Sequence, residues 1–252
     1  MLLQKMKSSE VGEEIMKETI VVIPIGSTEQ HGPHLPVDCD MQSAYYVAVK
    51  AAEKTGSIVA PPINYGYNEK ELTFPGTVSV KSESFLRYVY DVCDSLIRTG
   101  FKKIVLLNGH GWNVHLVGQL AHMINERKGN LCAAVNYWQL IIDVARKLRE
   151  SEFPGGVAHA CEFETSVLLF LDPDHVDMSK ARKEISFKKT KYTWYDALEG
   201  DGLVCMPERF EEITKSGIIG DPTLANREKG EKLVNAAIER LADFLIQFKQ
   251  TY

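Results

Sequence analysis

The sequence predicts an α/β protein: a single three-layer α/β/α domain over residues 1–252 with a mainly parallel central sheet. Three observations lead there. Short apolar runs at 19–26, 58–60, 103–107 and 131–137 read as buried strands, and stretches of helical period separate them. Polar clusters rich in glycine and histidine follow two of those runs directly, at 26–40 and 108–113. Open α/β sheets bind ligands at that edge. No internal repeat, low-complexity segment or linker divides the chain.

In chain order, residues 7–17 read as a short helix capped by Ser8 or Ser9. The run from Ile20 to Ile25 makes the first strand. Met41 to Thr55 carries Ala44, Tyr45, Val47, Ala48, Ala51 and Ala52 at helical period and stops at Gly56. Ile58, Val59 and Ala60 form a second strand. Residues 61–79 hold prolines, glycines and aromatics without periodicity, so they form a long loop of the kind that often carries function. Phe85, Val89, Cys93 and Leu96 mark one stripe of a helix at 83–99. A strand at 103–107 runs into NGHGWN, and a helix at 113–127, a strand at 131–137 and a helix at 138–149 follow. Residues 151–158 are a loop that leads into HACEFETS, and Thr165 to Leu171 is a buried helix. The stretch 172–222 reads as irregular, its basic part at 180–191 a solvated face or subunit contact. Asn226 to Phe248 closes the chain as an amphipathic helix.

Composition excludes several functions. With 44% hydrophobic and 25% charged residues the chain is ordinary for a globular protein. A net charge of −5 without a basic block speaks against a nucleic-acid surface. No apolar run approaches the roughly 20 residues of a membrane span, and the N-terminal residues lack the pattern of a signal peptide. The five cysteines, Cys39, Cys93, Cys132, Cys161 and Cys205, never form a CxxC pair, which suits free thiols in a reducing cytoplasm. Cys39 and Cys161 lie inside polar motifs, where they read as small fillers, with a nucleophile or ligand as the alternative. No GxGxxG or Walker motif follows a strand, so a nucleotide-binding protein is not expected.

The chemistry concentrates in GSTEQHGPHLPVDCD at 26–40. Glu29, His31, His34, Asp38 and Asp40 fall within a dozen residues, and Gly26, Gly32, Pro33 and Pro36 keep that stretch out of a helix. Imidazoles and carboxylates converging on a loop beyond a strand suit zinc, manganese or iron. A solvated polar loop is the alternative. His110, between two glycines after another strand, becomes a candidate ligand once paired with this cluster. His115, His122 and His175 lie outside the motifs and read as structural or surface residues.

Five strings stand in order: GSTEQHGPHLPVDCD, FPGT at 74–77, NGHG at 108–111, HACEFETS at 159–166 and GDPTLANREKGE at 220–231. Together, from about residue 19 to the last helix, they resemble the creatininase (creatinine amidohydrolase) family. The resemblance implies a dinuclear metal hydrolase. Asp40 would bridge two divalent ions, with Glu29 and His110 completing one site and His31 and Glu164 the other. Zinc comes first, with manganese or iron as alternatives. Hydroxide bridging the ions would attack an amide carbonyl, and His159 would serve as general acid.

The departures from the family bear on proton transfer and substrate. Creatininases proper have a glutamate two residues after the NGH histidine, where this chain has Trp112. Glu162, two residues before Glu164, is expected to take over the proton work. The family tryptophan four residues before the catalytic histidine is here Gly155, whereas Trp138 falls where the family has a tryptophan after a strand. Trp112, Trp138, Gly111 and His34 are the expected substrate contacts, His34 by orienting ligand or substrate, and Asp38 either shares that task or caps a helix. The changed walls point away from creatinine, toward another small cyclic amide or a formamide. The alternatives are ring opening of an oxidised cyclitol or sugar, and a non-catalytic metal-binding subunit. A cytoplasmic homo-oligomer, a hexamer among the options, acting on a small molecule completes the expectation.

Overall fold

Four parallel strands lie in the order β2-β1-β3-β4: Val21–Ile25 (β1), Ile58–Val59 (β2), Lys103–Asn108 (β3) and Leu131–Asn136 (β4). The computed structural model describes residues 1–200 and 202–252. Eight α-helices are found among them: Ser8–Met16 (α1), Cys39–Thr55 (α2), Ser82–Thr99 (α3), Val114–Asn125 (α4), Ile142–Leu148 (α5), Glu162–Leu171 (α6), Phe210–Ile213 (α7) and Arg227–Thr251 (α8).

Side chains alternate across the sheet, and this divides the core in two. Val21, Ile23 and Ile25 of β1 and Ile104 and Leu106 of β3 join Phe85, Val89 and Cys93 of α3 and Val117, Leu120 and Ile124 of α4. Val22, Val105 and Leu107 face the other way, onto Val47, Ala48 and Ala51 of α2, Val167 and Leu168 of α6, and Leu233, Ala237 and Leu241 of α8. Each such aliphatic side chain contributes about 1.5–3 kcal/mol by leaving water. With both faces covered, β1 is apolar and buried along its whole length, as parallel strands usually are. The three-layer α/β expectation is met. No helix among the described residues is long and apolar enough to cross a membrane.

Several boundaries differ from expectation. α1 is not capped by a serine: the backbone N–H of Lys7 donates to Glu10 Oε2 at 2.6 Å. The helix expected at 138–149 starts as a 3-10 turn over Tyr137–Ile141, so α5 is short. The stretch 172–222 contains α7 and Ile219–Gly220 (β6), which pairs antiparallel with Val157–His159 (β5). Position 201 in that stretch lies outside the described residues. α6 begins three residues earlier than Thr165, because Glu164 turns back to accept the N–H of Cys161 at 3.4 Å and closes the helix start.

The sheet register sets up the site. Ile25 pairs with Asn108, so the loops leaving β1 and β3 emerge side by side at the carboxyl edge. The first turn of α2 drops back onto the same edge, since neither Gly26 nor Gly109 has a side chain to hold it off. A Cβ at 109 would lie 2.3 Å from the Asp40 carbonyl oxygen, and one at 26 would lie 2.7 Å from the Met41 backbone.

Candidate metal centre

Each expected ligand reaches the centre by a local constraint. Asn108 makes a polar turn after β3: its side chain accepts the N–H of His110 at 3.1 Å and donates to the carbonyl of the same residue at 2.7 Å. The loop after β1 is laced to the FPGT segment, where Gln30 N–H donates to Thr77 Oγ1 at 3.1 Å and Val78 N–H to the Thr28 carbonyl at 2.9 Å. Asp40 sits in the first turn of α2 and Glu164 in that of α6. His159 ends β5 and is followed by Ala160, a buried non-glycine residue at φ 48°. Left-handed backbone at alanine is strained and is kept only where surroundings impose it. Here it turns the chain sharply between His159 and the helix bearing Glu164.

Asp40 stands between two histidines. Its Oδ2 lies 2.9 Å from His110 Nδ1, and its Oδ1 lies 3.3 Å from His31 Nε2. Glu29 Oε1 is 3.1 Å from the same His110 nitrogen, and Glu164 Oε1 is 3.9 Å from His31 Nε2. The far nitrogens are anchored to carbonyls, which can only accept. His110 Nε2–H donates to Tyr67 at 3.2 Å and His31 Nδ1–H to Glu29 at 3.2 Å. This fixes which nitrogen of each ring faces the carboxylates.

These residues fit a divalent cation on three observations. Glu29, Asp40 and His110 place donor atoms within 4.8 Å of one another, as do His31, Cys39 and Asp40, and Glu29, His31 and His159. His31 Nε2 and Asp40 Oδ2 are buried without a hydrogen bond, although nitrogen and oxygen atoms surround them. Among the described residues no lysine or arginine pairs with Glu29, Asp40, Glu71 or Glu164. Buried carboxylates need compensating positive charge. Nitrogen and oxygen donors of this set suit zinc, manganese or iron.

The electrostatics of the protein alone reflect that need. Burial pushes Glu164 up to about 7 and raises Glu29. Burial works against a charge on Asp40 too, but His31 and His110 outweigh it and hold its carboxyl below the usual range. Burial would lower both imidazoles, but Cys39 and Asp40 beside His31, and Glu29 and Asp40 beside His110, keep them well above the ordinary histidine range. Cys39, pushed up to about 12 by burial, stays a neutral thiol beside them.

His159 borders this cluster, its Nδ1 3.7 Å from Glu29 Oε1 and its ring 4.4 Å from that of His31. Its Nε2–H donates to the Gln30 carbonyl at 2.8 Å, and the edge of Phe210 packs on it at 5.1 Å. Burial and the charge of His31 push it well below the ordinary range, so it is neutral.

Glu162 does not join the site, which corrects the expectation for the proton-transfer group. Residues two apart on a helix face opposite ways, and Glu164 takes the side toward the metal ligands. Glu162 is fully buried on the other side. It accepts the N–H of Glu150 at 3.1 Å and of Ser151 at 3.0 Å and forms an ion pair with Lys229 of α8. His34 is also turned away: it is buried, Nε2 meets Thr165 Oγ1 at 2.9 Å, and burial lowers it to about 4. Through that contact it braces α6. Asp38 is exposed at the start of α2, bonded to Gln42 at 2.9 Å. Gly111 is exposed and open to solvent. Trp138 packs on the core beneath α8, edge-on to Tyr137 at 5.6 Å.

The residue that sequence reasoning missed is Glu71. It comes from the loop at 61–79, is fully buried, and places Oε2 3.8 Å from His159 Nε2. Gln30 Nε2 donates to Oε2 at 3.1 Å, and Trp112 Nε1 donates to Oε1 at 2.9 Å. Burial, then the negative charge of Glu29, raises it well above the usual carboxylate range. The only signal in the sequence was an acidic residue three positions before FPGT.

Comparison with known proteins gives a consistent result. A family model described as "Creatininase: Creatinine amidohydrolase" matches residues 4–245. The chain is 30% identical to a 3-dehydro-scyllo-inosose hydrolase of Thermotoga maritima, over 94% of this chain and 80% of the relative. It is 29% identical to a creatinine amidohydrolase of Pseudomonas putida, over 94% and 96%. A solved creatininase variant described as of Zn-Zn type superposes with a TM-score of 0.83 at 25% identity, covering 96% of each chain.

Proposed function

The chain belongs to the creatininase family, and from that premise we propose that it is a dinuclear metal-dependent amidohydrolase cleaving a C–N bond in a small cyclic amide or formamide. The observation that carries this reading is the set Glu29, His31, Asp40, His110 and Glu164, buried except for a partly exposed Glu164, with which no lysine or arginine pairs among the described residues. Asp40 offers one oxygen to each histidine and would bridge two ions. Glu29 and His110 would complete one position, and His31 and Glu164 the other. The Zn-Zn creatininase supports a count of two, with zinc first and manganese or iron compatible with the same donors. When bound, such ions polarise a carbonyl and acidify water.

The remaining work falls to this chain's own groups. His159 lines the donor set through Nδ1, the nitrogen left without a proton by the Nε2–H bond to Gln30, and is the residue to take a proton there and pass it on to the departing nitrogen. Glu71, not Glu162, is the carboxylate placed to exchange a proton beside it. Gln30 bonds both residues, its side-chain amide donating to Glu71 and its carbonyl accepting from His159, and holds them in register. Trp112 fixes the Glu71 carboxylate through its indole N–H while its ring forms part of an aromatic wall with Phe74 and Phe210. Gly111 leaves the approach open.

A second reading is hydrolytic ring opening of an oxidised cyclitol, favoured by the similarity to the Thermotoga maritima hydrolase. Assays for released amine separate it from the first. A homo-oligomer, a hexamer being one arrangement, and a cytoplasmic setting belong to the same proposal, and the five free cysteines suit a reducing compartment.

The deciding experiment is elemental analysis of protein purified without chelator, wild type beside Asp40→Ala, followed by assays on cyclic amides and formamides. About two ions per chain in wild type, lost in the variant, support the proposal. Less than about half an ion per chain after adding zinc or manganese would overturn it.

A further inference from the structure

Cys39 stands beside the centre with no part in the chemistry described above. It opens α2, keeps 1% of its surface in solvent and directly precedes Asp40. It belongs to the core cluster that includes Leu35 and Tyr137. A buried cysteine with only such neighbours is a small apolar filler. The Cys39 sulfur has polar neighbours as well. It lies within 4.8 Å of ligand atoms of both His31 and Asp40. It is within hydrogen-bond reach of the His31 imidazole, and the carboxylate charges acting on it are those of Glu164 and Asp40.

His31, Asp40 and Glu164 are the residues assigned above to one of the two ion positions. His31 is fully buried, and its Nε2 faces Asp40 Oδ1 at 3.3 Å and Glu164 Oε1 at 3.9 Å without a hydrogen bond. Buried polar atoms without partners are rare, and a bound ion is one of the few explanations. A thiol that joins an unspent imidazole nitrogen and a carboxylate completes a set of zinc-ligand types. The other position differs. There Glu29, Asp40 and His110 gather their donor atoms without a cysteine.

We propose that Cys39 is a further ligand at the His31, Asp40 and Glu164 position, which makes it a sulfur-containing zinc site, while the Glu29 and His110 position takes nitrogen and oxygen donors alone. This rests on the dinuclear reading above and goes beyond it by making the two positions unequal. Thiolate sulfur favours zinc, whereas carboxylate oxygen suits manganese equally well. On ligation the Cys39 sulfur gives up its proton to solvent. With Cys39 the His31 position reaches the tetrahedral donor number of a closed zinc site, and Glu29, Asp40 and His110 leave one place open. Closed positions hold structure and open ones meet substrate. The open side is the one where Glu29 Oε1 lies 3.7 Å from His159 Nδ1.

The test is X-ray absorption at the zinc edge on wild-type protein loaded with zinc. A sulfur shell at about 2.3 Å is expected beside nitrogen and oxygen at about 2.0–2.1 Å, with about half a sulfur per zinc. Cys39→Ser and Cys39→Ala should lose that shell, and Cys161→Ser should keep it. Competition between metals gives a second readout. The preference of wild type for zinc over manganese at one position should exceed that of Cys39→Ser by at least about tenfold. A full complement of zinc with nitrogen and oxygen neighbours alone would overturn the sulfur ligand and leave the hydrolase reading standing. A sulfur shell that survives in Cys39→Ser would also overturn it, by moving the donor to another cysteine. Protein that holds less than about half an ion per chain would overturn both readings.

Discussion

Lys229 of α8 closes on Glu162 of α6 in the interior, where the two side chains keep 5% and 0% of their surface in solvent. The ammonium spends its other donors on Glu150 Oε1 at 2.9 Å and the Leu224 carbonyl at 3.0 Å. Removing one partner strands a buried charge, at a cost of about 3–5 kcal/mol. Glu162→Gln and Lys229→Met should each lower the urea midpoint by that measure. The double variant should recover part of the loss, and activity per folded molecule should persist. Full stability with abolished turnover in Glu162→Gln would return this residue to the chemistry.

Glu71 should behave in the opposite way. Glu71→Gln keeps the shape and one of the two bonds accepted from Trp112 and Gln30 but removes the proton-carrying group, so kcat should fall by about 10²–10⁴. Metal content by elemental analysis should equal wild type. A variant with wild-type kcat would exclude the role.

Gly230 tests how closely α6 and α8 pack. Alanine in place of a helix-interior glycine normally stabilises by about 1 kcal/mol. Here its Cβ would stand 1.8 Å from the Ser166 carbonyl oxygen, which is backbone and cannot yield. Gly230→Ala should destabilise by roughly 1–3 kcal/mol, the usual range for overpacking. Thermal unfolding gives the sign directly.

Glu184 predicts a pH dependence away from the centre. Burial would raise its pKa, but hydrogen bonds from the Lys215 N–H at 2.6 Å and from Ser216 hold it below the ordinary 4.5. A carboxylate depressed on folding adds stability that is complete above its unfolded value and disappears as pH falls through the folded one. Glu184→Gln should therefore lower Tm at pH 7, by roughly 2 °C for a chain of this size. The gap between variant and wild type should close below pH 4.5. A constant gap across that range would show that the charge is not responsible.

Much of this was legible in the residues. β1, β3 and β4 announced themselves as apolar runs, and α2, α3 and α8 by a stripe of the right period, because burial on one or two faces leaves that trace. β5 and β6 are too short to alternate, so Val157–His159 and Ile219–Gly220 passed as loop. Glu162 and Glu164 looked like neighbours in the string, but a helix that starts at Glu162 sends them to opposite sides. Glu71 needed a contact across 88 positions to His159, which no local pattern encodes. The motif around Lys229 was visible, and only the packing of α8 on α6 showed what it holds.

Gly26 and Gly109 let the first turn of α2 rest directly on the ends of two strands, backbone against backbone. The gauge of the centre is therefore set by the least variable material in a protein, its main chain, and not by the loops around it. Trp112, Gly155 and Glu71, the proposed proton carrier, all lie outside the strands and α-helices of the scaffold. A scaffold of this kind separates invention from risk: new substrates are explored at the rim while the machinery beneath is held still.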